Sequence, residues 1–452
     1  MRVFRWSVLM ALSLVVVAVG INPAARGHAA AVRAHPRAPI TLTYWWWAES
    51  DVPGADKWMR QTIARFEKTH PNIQVKLDIQ ATDSLISNFQ AAAAAHRGPD
   101  LATQWATIPV LSQAWAGAIA PLSAYVPGSE IAHWVGTAEN AYAGKIWGMP
   151  LYLIGIPVVY NKTLFHKAGL NPDNPPRTWA QFLADCARLK ARGILPFALG
   201  NKDASGGAWF WSTFGKGSLN SADDIKRAVV GQTHFTDAPF TRWLTGLQTM
   251  ITSGYVSNDV ASVNLNDGFA PFARGTAGMT FGTDAYIVGY AKTMGEKNIG
   301  VFRAPPIGSG KLGSWYDATQ SSTEMITSWS RHKREAAMFL MFMHTPERLK
   351  ALSDQTGAFP ADNRFNLSAI KDPLQRQLLK WDLTLPNIWA ENFVPTQLDT
   401  NGVRIAGQTV TSAGTADTAA QLWERTARQW RASNPSDLKR FRAWIGSGGA
   451  SL

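Results

Sequence analysis

The chain has 452 residues, 46% of them apolar, which excludes a disordered chain, and a length of this order suggests roughly two or three domains. Its formal charge is +12, but the densest basic group is only Arg331, Lys333 and Arg334, and five arginines (Arg2, Arg5, Arg26, Arg33, Arg37) sit in the N-terminal tail, so no nucleic-acid partner is expected. Asp and Glu number 32 against 44 Lys and Arg, a balance that suits an acidic medium, where fewer carboxylates would be protonated.

In chain order, residues 1–30 read as a secretory signal peptide. Arg2 and Arg5 precede an apolar run to Val19, and small residues follow at His28-Ala29-Ala30. No cysteine follows the apolar run, so a standard lipoprotein is not expected. The chain is placed in the periplasm or at the outer cell surface, with an uncleaved N-terminal anchor left open. Residues 31–39 are a linker. Ile40 to Trp47 alternates as a first strand, Lys57 to His70 has helical spacing, and Ile73 to Ile79 alternates again. A helix from Asp83 to His96 with Asp83 or Ser84 as cap, a strand Leu101 to Trp105 and a helix Pro109 to Gly117 follow. This strand–helix alternation predicts a parallel sheet covered by helices. Further on, Val158 to Tyr160, Gly278 to Phe281 and Gly300 to Phe302 are strand-like. Lys162 to Ala168, Thr178 to Arg192, Phe235 to Gly254, Asp267 to Arg274 and Arg331 to Met343 are helical. The single cysteine, Cys186, falls on an amphipathic helix as a small buried hydrophobe and excludes an internal disulfide.

Eight blocks then stand in an order that resembles the extracellular solute-binding proteins of ABC transporters. They are RFEKTHPNIQVKLDIQ, AAAAAHRGPDL, GAIAPLSAYV, GKIWGMPLY, VVYNKTLFHKAGL, PPRTWAQFLADCARLK, FARGTAGMTFG and REAAMFLMFMHTPE. The likeness runs over about residues 40 to 450 and is nearest the sugar-binding branch. It implies a bilobal α/β periplasmic-binding-protein fold, two sheet-and-helix lobes joined by a multi-strand hinge around a ligand cleft. The implied crossings fall near Pro150–Leu151, Arg303–Pro306 and Met343–Pro346. Lobe one would be 40–150 plus 306–345, and lobe two 151–305 plus 346–452. It further implies a monomer that captures a carbohydrate by hinge closure and delivers it to membrane permease subunits, without cofactor, metal or catalysis.

A sugar has an apolar C–H face and a polar rim, met by flat aromatic rings and by side chains that bond hydroxyls, most strongly when charged. In open α/β sheets the crevice lies beyond the carboxyl ends of the strands. In TLTYWWWAESD, Tyr44 and Trp45 are therefore assigned to the core, and Trp46, Trp47 and Glu49 to the ligand. Gln104 and Trp105 end the third strand, and Tyr152 follows the first implied crossing. Trp209 and Trp211 stand two apart after a glycine-rich turn. Asp284 occupies a position where the family usually has an aromatic residue. Trp315, Asp317 and Gln320 in SWYDATQSSTEM, and Trp389 in PNIWAENF, complete the expected ligand-binding set, with Asn392 beside it.

Two alternatives remain at this level. A polyamine or other small-solute binder of the same fold would also combine aromatics with carboxylates. A secreted carbohydrate-active enzyme would need two carboxylates flanking the scissile bond, which Glu49, Asp284 and Asp317 could supply. GSGKL at 308–312 lacks the first Gly and the Ser/Thr of a phosphate-binding loop, and neither HExxH nor Gly-x-Ser-x-Gly occurs.

Overall fold

A computed structural model describes residues 39–81, 84–365, 368 and 370–447. The signal segment, all but the last residue of the linker, and Asp83 lie outside the described residues. The strands among them are, in chain order, β1 (Ile40–Trp46), β2 (Ile73–Ile79), β3 (Leu101–Gln104), β4 (Ile119–Ala120), β5 (Ala141–Tyr142), β6 (Lys145–Ile146), β7 (Met149–Gly155), β8 (Val158–Asn161), β9 (Leu195–Phe197), β10 (Ala277–Phe281), β11 (Ile299–Phe302), β12 (Ala318–Thr327) and β13 (Phe359–Pro360). A first sheet has the order β13-β7-β12-β3-β1-β2, with β4 on β12, and a second has the order β11-β8-β10-β9. Helices cover both, so the expected α/β architecture of two sheet-and-helix lobes is the one observed. The parallel pairing predicted for the N-terminal strands joins β1 to β2 and β3. β12 then enters antiparallel to both β3 and β7, so the sheet as a whole is mixed.

The implied crossing at Pro150–Leu151 lies inside β7. That strand stays paired with β12 as far as Gly155, which faces Ala318, and the chain changes sheet between Gly155 and Val158. Residues 346–360 also go with the first sheet. Helix Pro346–Thr356 packs on helix Ala55–Thr69, and β13 pairs with β7.

Local chemistry explains several elements. Thr178 and Gln181 form a reciprocal capping box at the start of helix Trp179–Ala191. Asn161 caps helix Lys162–Lys167 by accepting from the Leu164 amide at 3.1 Å. Asp100 accepts from the Thr43 amide at 2.9 Å and the Ser330 hydroxyl at 2.6 Å, tying β1 to the segment after β12. In β1 the buried face is Leu42, Tyr44 and Trp46, packed on Trp58 and Phe66 of helix Ala55–Thr69. Trp45 is only half buried, on the opposite face near Phe89 and Ala102. The expected core assignment thus holds for Tyr44, while Trp46, expected at the ligand, is fully buried and Trp45 is only partly so.

Periodicity gave no strand over 318–327, because ATQSSTEMIT has no apolar alternation. All ten residues are nonetheless buried in the middle of the first sheet. Each of their polar side chains has a hydrogen-bond partner on at least one atom. Glu324 accepts from the hydroxyls of Tyr44, Thr103 (2.7 Å) and Ser322 (2.6 Å). Burial pushes Glu324 up to about 7 against these hydrogen bonds, and does the same to Glu139, Asp284 and Asp317.

An acid whose folded value is raised binds a proton that the unfolded chain has already released. Its contribution to stability is fully present below the ordinary carboxylate value near 4 and is lost as pH rises through the folded value of about 7. Melting temperature is therefore expected to fall from pH 5 to pH 8 in a pH-resolved thermal melt, and Glu324→Gln, which keeps the shape of the protonated acid, should make that fall shallower. A melting temperature that rises over the interval would contradict the assignment. Glu324→Ala, which leaves buried hydroxyls unpaired, should cost about 3 kcal/mol by chemical denaturation.

Candidate functional site

A cavity of about 490 Å³ opens between elements of the two sheets. From the first sheet come Trp47, just past the end of β1, Trp105, just past β3, and Thr319, Gln320 and Ser321 in the first half of β12. From the second side come Asp203 and Ser205 beyond β9, Trp209 in helix Ser205–Thr213, and a C-terminal run from Trp389 to Arg404. The first-sheet tryptophans obey the rule that the crevice lies beyond strand carboxyl ends.

Two edge-to-face tryptophan pairs contribute to the wall. Trp47 and Trp105 have ring centroids 5.2 Å apart at 75°, and Trp209 and Trp389 are 5.7 Å apart at 84°. This T-shaped geometry fixes one ring by the edge of the other.

The polar part of the wall is organised around Arg404. A π-helical turn, Asp399–Arg404, carries both Asp399 and Arg404 to the cavity. The guanidinium donates to Asp399 Oδ2 (2.8 Å), to Ser205 Oγ (2.9 Å) and to Glu391 Oε1. Glu391 also accepts from Trp389 Nε1 at 3.3 Å, so this charge network orients one of the rings. Burial raises Glu391 to about 8 although Arg404 pulls it down. On the opposite wall Ser321 donates to Asp51 Oδ2 at 3.0 Å, and burial raises Asp51 to about 7. Thr323 donates to Gln320 Oε1 at 2.9 Å. Gln320 Nε2 and Asp399 Oδ1 are buried without a hydrogen-bond partner among the described residues.

Of the expected ligand residues, Trp47, Trp105, Trp209, Gln320 and Trp389 line this cavity, with Asn392. The others are used elsewhere. Trp46 is fully buried and donates its indole N–H to Asp56 at 2.9 Å. Glu49 accepts from the Gly54 and Asp56 amides at 2.7 and 2.9 Å, so it satisfies the start of helix Ala55–Thr69. Gln104 is buried in the β3 ladder opposite Thr323. Tyr152 is wholly buried in β7. Trp211 lies in the core against Trp423, 5.3 Å away, on the side of its helix away from Trp209. Asp284 accepts from the Gly155 amide at 2.6 Å at the change of sheet and shares a buried pocket with Asp382. Trp315 packs half-buried on the core, and Asp317 is ion-paired with buried Lys216 at 2.5 Å.

Sequence reasoning missed Asp51, Asp203, Ser205, Glu391, Asp399 and Arg404. Only Asp51 and Glu391 had a local signal, each within a quoted tryptophan block. Arg404 had none, because its partners Glu391, Asp399 and Ser205 show no local spacing pattern and one of them lies 199 residues away in the chain. Among the described residues the one acid–histidine group with metal-ligand spacing is Glu130, His344 and Asp362, away from this cavity. There Arg364 bridges Glu130 and Asp362 at 2.6 Å each, filling the place of a cation with a guanidinium.

Comparison with known proteins agrees with this geometry. Residues 50–348 match the family described as bacterial extracellular solute-binding protein. An uncharacterised ABC transporter extracellular-binding protein of Pyrococcus horikoshii is 23% identical over 369 residues, 75% of each chain. Among solved structures, a chitin oligosaccharide binding protein superposes with a TM-score of 0.79 at 20% identity, over 87% of this chain and 99% of that one. A sugar transporter protein of Bacillus licheniformis in complex with stachyose gives 0.70 at 17% identity, over 86% and 100%. With residues 50–348, most of the fold and much of the cavity wall, inside the matched segment, the chain belongs to the family of bacterial extracellular solute-binding proteins.

Proposed function

We propose that this protein is the carbohydrate-capturing component of an ABC importer, taking an oligosaccharide into the cavity between its two lobes and presenting it to membrane permease subunits. The observation that carries the reading is the pairing of Trp47 with Trp105 and of Trp209 with Trp389 around one polar cavity. Aromatic faces meet the C–H faces of a sugar ring, and the network around Arg404 and Gln320 meets its hydroxyls. A volume near 490 Å³ falls in the range of small-ligand sites. The solved structures bound to or named for oligosaccharides support the same ligand class.

The finer points of this reading are these. Lobe one comprises 40–155 plus 318–365, and lobe two 158–317 plus 370–447, following the strand pairing and the packing of helix Pro346–Thr356. Closure rotates the lobes about the segment after Gly155. The protein acts as an exported monomer, in the periplasm or at the outer surface, without a lipidated cysteine and without nucleic acid. It binds without turnover. In support, Glu391 and Asp399 are both engaged by Arg404, which suits holding a ligand better than proton transfer.

A thermal-shift screen of mono- and oligosaccharides should find a sugar that raises the melting temperature, since a ligand binding only the native state stabilises it; a shift with polyamines and with no sugar would overturn the ligand class. Incubation with labelled oligosaccharides should return them uncleaved. Trp47→Ala and Trp389→Ala should each weaken binding by roughly 10- to 100-fold in calorimetry, with a smaller loss of melting temperature than Trp211→Ala. Trp211→Ala should instead cost about 3–5 kcal/mol of stability. Equal loss of stability from Trp47→Ala and Trp211→Ala would return Trp47 to the core.

A further inference from the structure

The cavity is acidic in a basic protein. Asp51, Asp203, Glu391 and Asp399 line it against a single guanidinium, Arg404, four carboxyl groups to one basic group in a chain of formal charge +12. Arg404 is already committed to Glu391, Asp399 and Ser205. Asp399 is 8% exposed and its Oδ1, buried on the cavity wall, has no hydrogen-bond partner among the described residues. Asp51 is 6% exposed and has one hydroxyl partner, Ser321. The wall therefore keeps a buried carboxylate acceptor, Asp399 Oδ1, that no described residue supplies with a donor.

An alcohol brings one donor along with its own lone pairs, whereas an ammonium brings three donors, no acceptor and a compensating charge. The four tryptophan rings favour the same group, because the face of an indole attracts a cation. A bound metal ion fits less well. No three of these carboxylates converge, since the one acid–histidine group within 4.8 Å among the described residues is Glu130, His344 and Asp362. The raised values of Asp51 and Glu391, about 7 and about 8, have the same origin, in burial with too little positive charge nearby.

We infer that the cavity selects an amine-bearing carbohydrate, an amino sugar or an oligosaccharide containing one, with its ammonium held between Asp51, Asp399 and the tryptophan faces. The inference rests on the carbohydrate reading and narrows it. A neutral sugar would leave Asp399 Oδ1 with a weaker, uncharged donor, so discrimination comes from the acids and ring recognition from the tryptophans.

The test is calorimetric titration of the protein, near pH 6, with matched pairs in which a neutral oligosaccharide faces its amino-deoxy counterpart, β-1,4-glucose oligomers against β-1,4-glucosamine oligomers among them, and with spermidine alone. The amine member of a pair should bind at least about tenfold more tightly, a difference near 1.4 kcal/mol. Asp51→Asn and Asp399→Asn, confirmed folded by their melts, should each shrink that ratio. Neutral members binding as well as or better than their amine partners would overturn the inference and leave the carbohydrate reading standing. Spermidine binding as tightly as the best amino sugar, or no member of any pair binding, would overturn both.

Discussion

Burial of a polar strand governs the rest of this structure. β12 lies between β3 and β7 and has no exposed residue, yet seven of its ten side chains are polar. A buried polar group left without a partner costs about 1–3 kcal/mol, so each of these needs a specific neighbour. Thr319 donates to Glu139, Ser321 to Asp51, Ser322 to Glu324, Thr323 to Gln320 and Thr327 to the carbonyl of Pro99. Asp51, Glu139 and Pro99 come from the loop after β1, the turn before β5 and the approach to β3, while Glu324 and Gln320 belong to β12 itself, so one strand ties three separate stretches together. Its first half also forms cavity wall, and its second half is sheet interior. The change falls at Ser322, whose backbone is left-handed with φ 55°, a conformation that persists only when the surroundings over-determine it. The geometry of the cavity wall is thus inherited from hydrogen bonds made for folding.

The tryptophans divide along the same line. Trp46, Trp58, Trp211, Trp243, Trp423 and Trp444 are fully buried, and Trp211, Trp243 and Trp423 form a contiguous cluster with Phe235 in the second lobe. In the core the indole acts as a large filler, and several of these N–H groups have no acceptor among the described residues. Around the cavity the indoles are held by edge contacts and, for Trp389, by a carboxylate. Abundance of tryptophan therefore serves two purposes in one chain, and its count alone points to neither.

Legibility in the sequence followed the range of the interactions. Where a feature depends on neighbours in sequence, it could be read: the alternation of β1 and β2, the helix start at Thr178, the strand-end positions of Trp47 and Trp105. The motif residues that carry the family resemblance are mostly of this kind, and Asn161 and Asp100 prove to be a helix cap and a strand tie and not ligand contacts. Features set by partners outside the periodic pattern were misread. Glu49 looked like a ligand carboxylate because the helix amides it accepts from are invisible in a strand-and-loop reading. Asp317 looked free because Lys216 is about a hundred residues away in sequence. In β1 the alternation was correct but the core was drawn from both faces, Tyr44 and Trp45, because only the packing of helix Ala55–Thr69 decides that Leu42, Tyr44 and Trp46 form the inner one.

The acids of the fold and the acids of the cavity obey one rule, desolvation that outweighs the available counter-charge. In β12 and its surroundings the deficit is met by hydroxyls, which leave Glu324 and Glu139 high and the strand locked in place. In the cavity Arg404 meets part of it, and its three bonds are spent on holding Glu391, Asp399 and Ser205 in register across separate stretches of chain. What remains uncompensated faces the ligand. The surrounding surface, with its net positive charge, offers no general attraction to a cation, so whatever selectivity the protein has for charge must act at contact range. Recognition on this wall is then a matter of which donors arrive, and the strand that made the sheet possible has already fixed where they must sit.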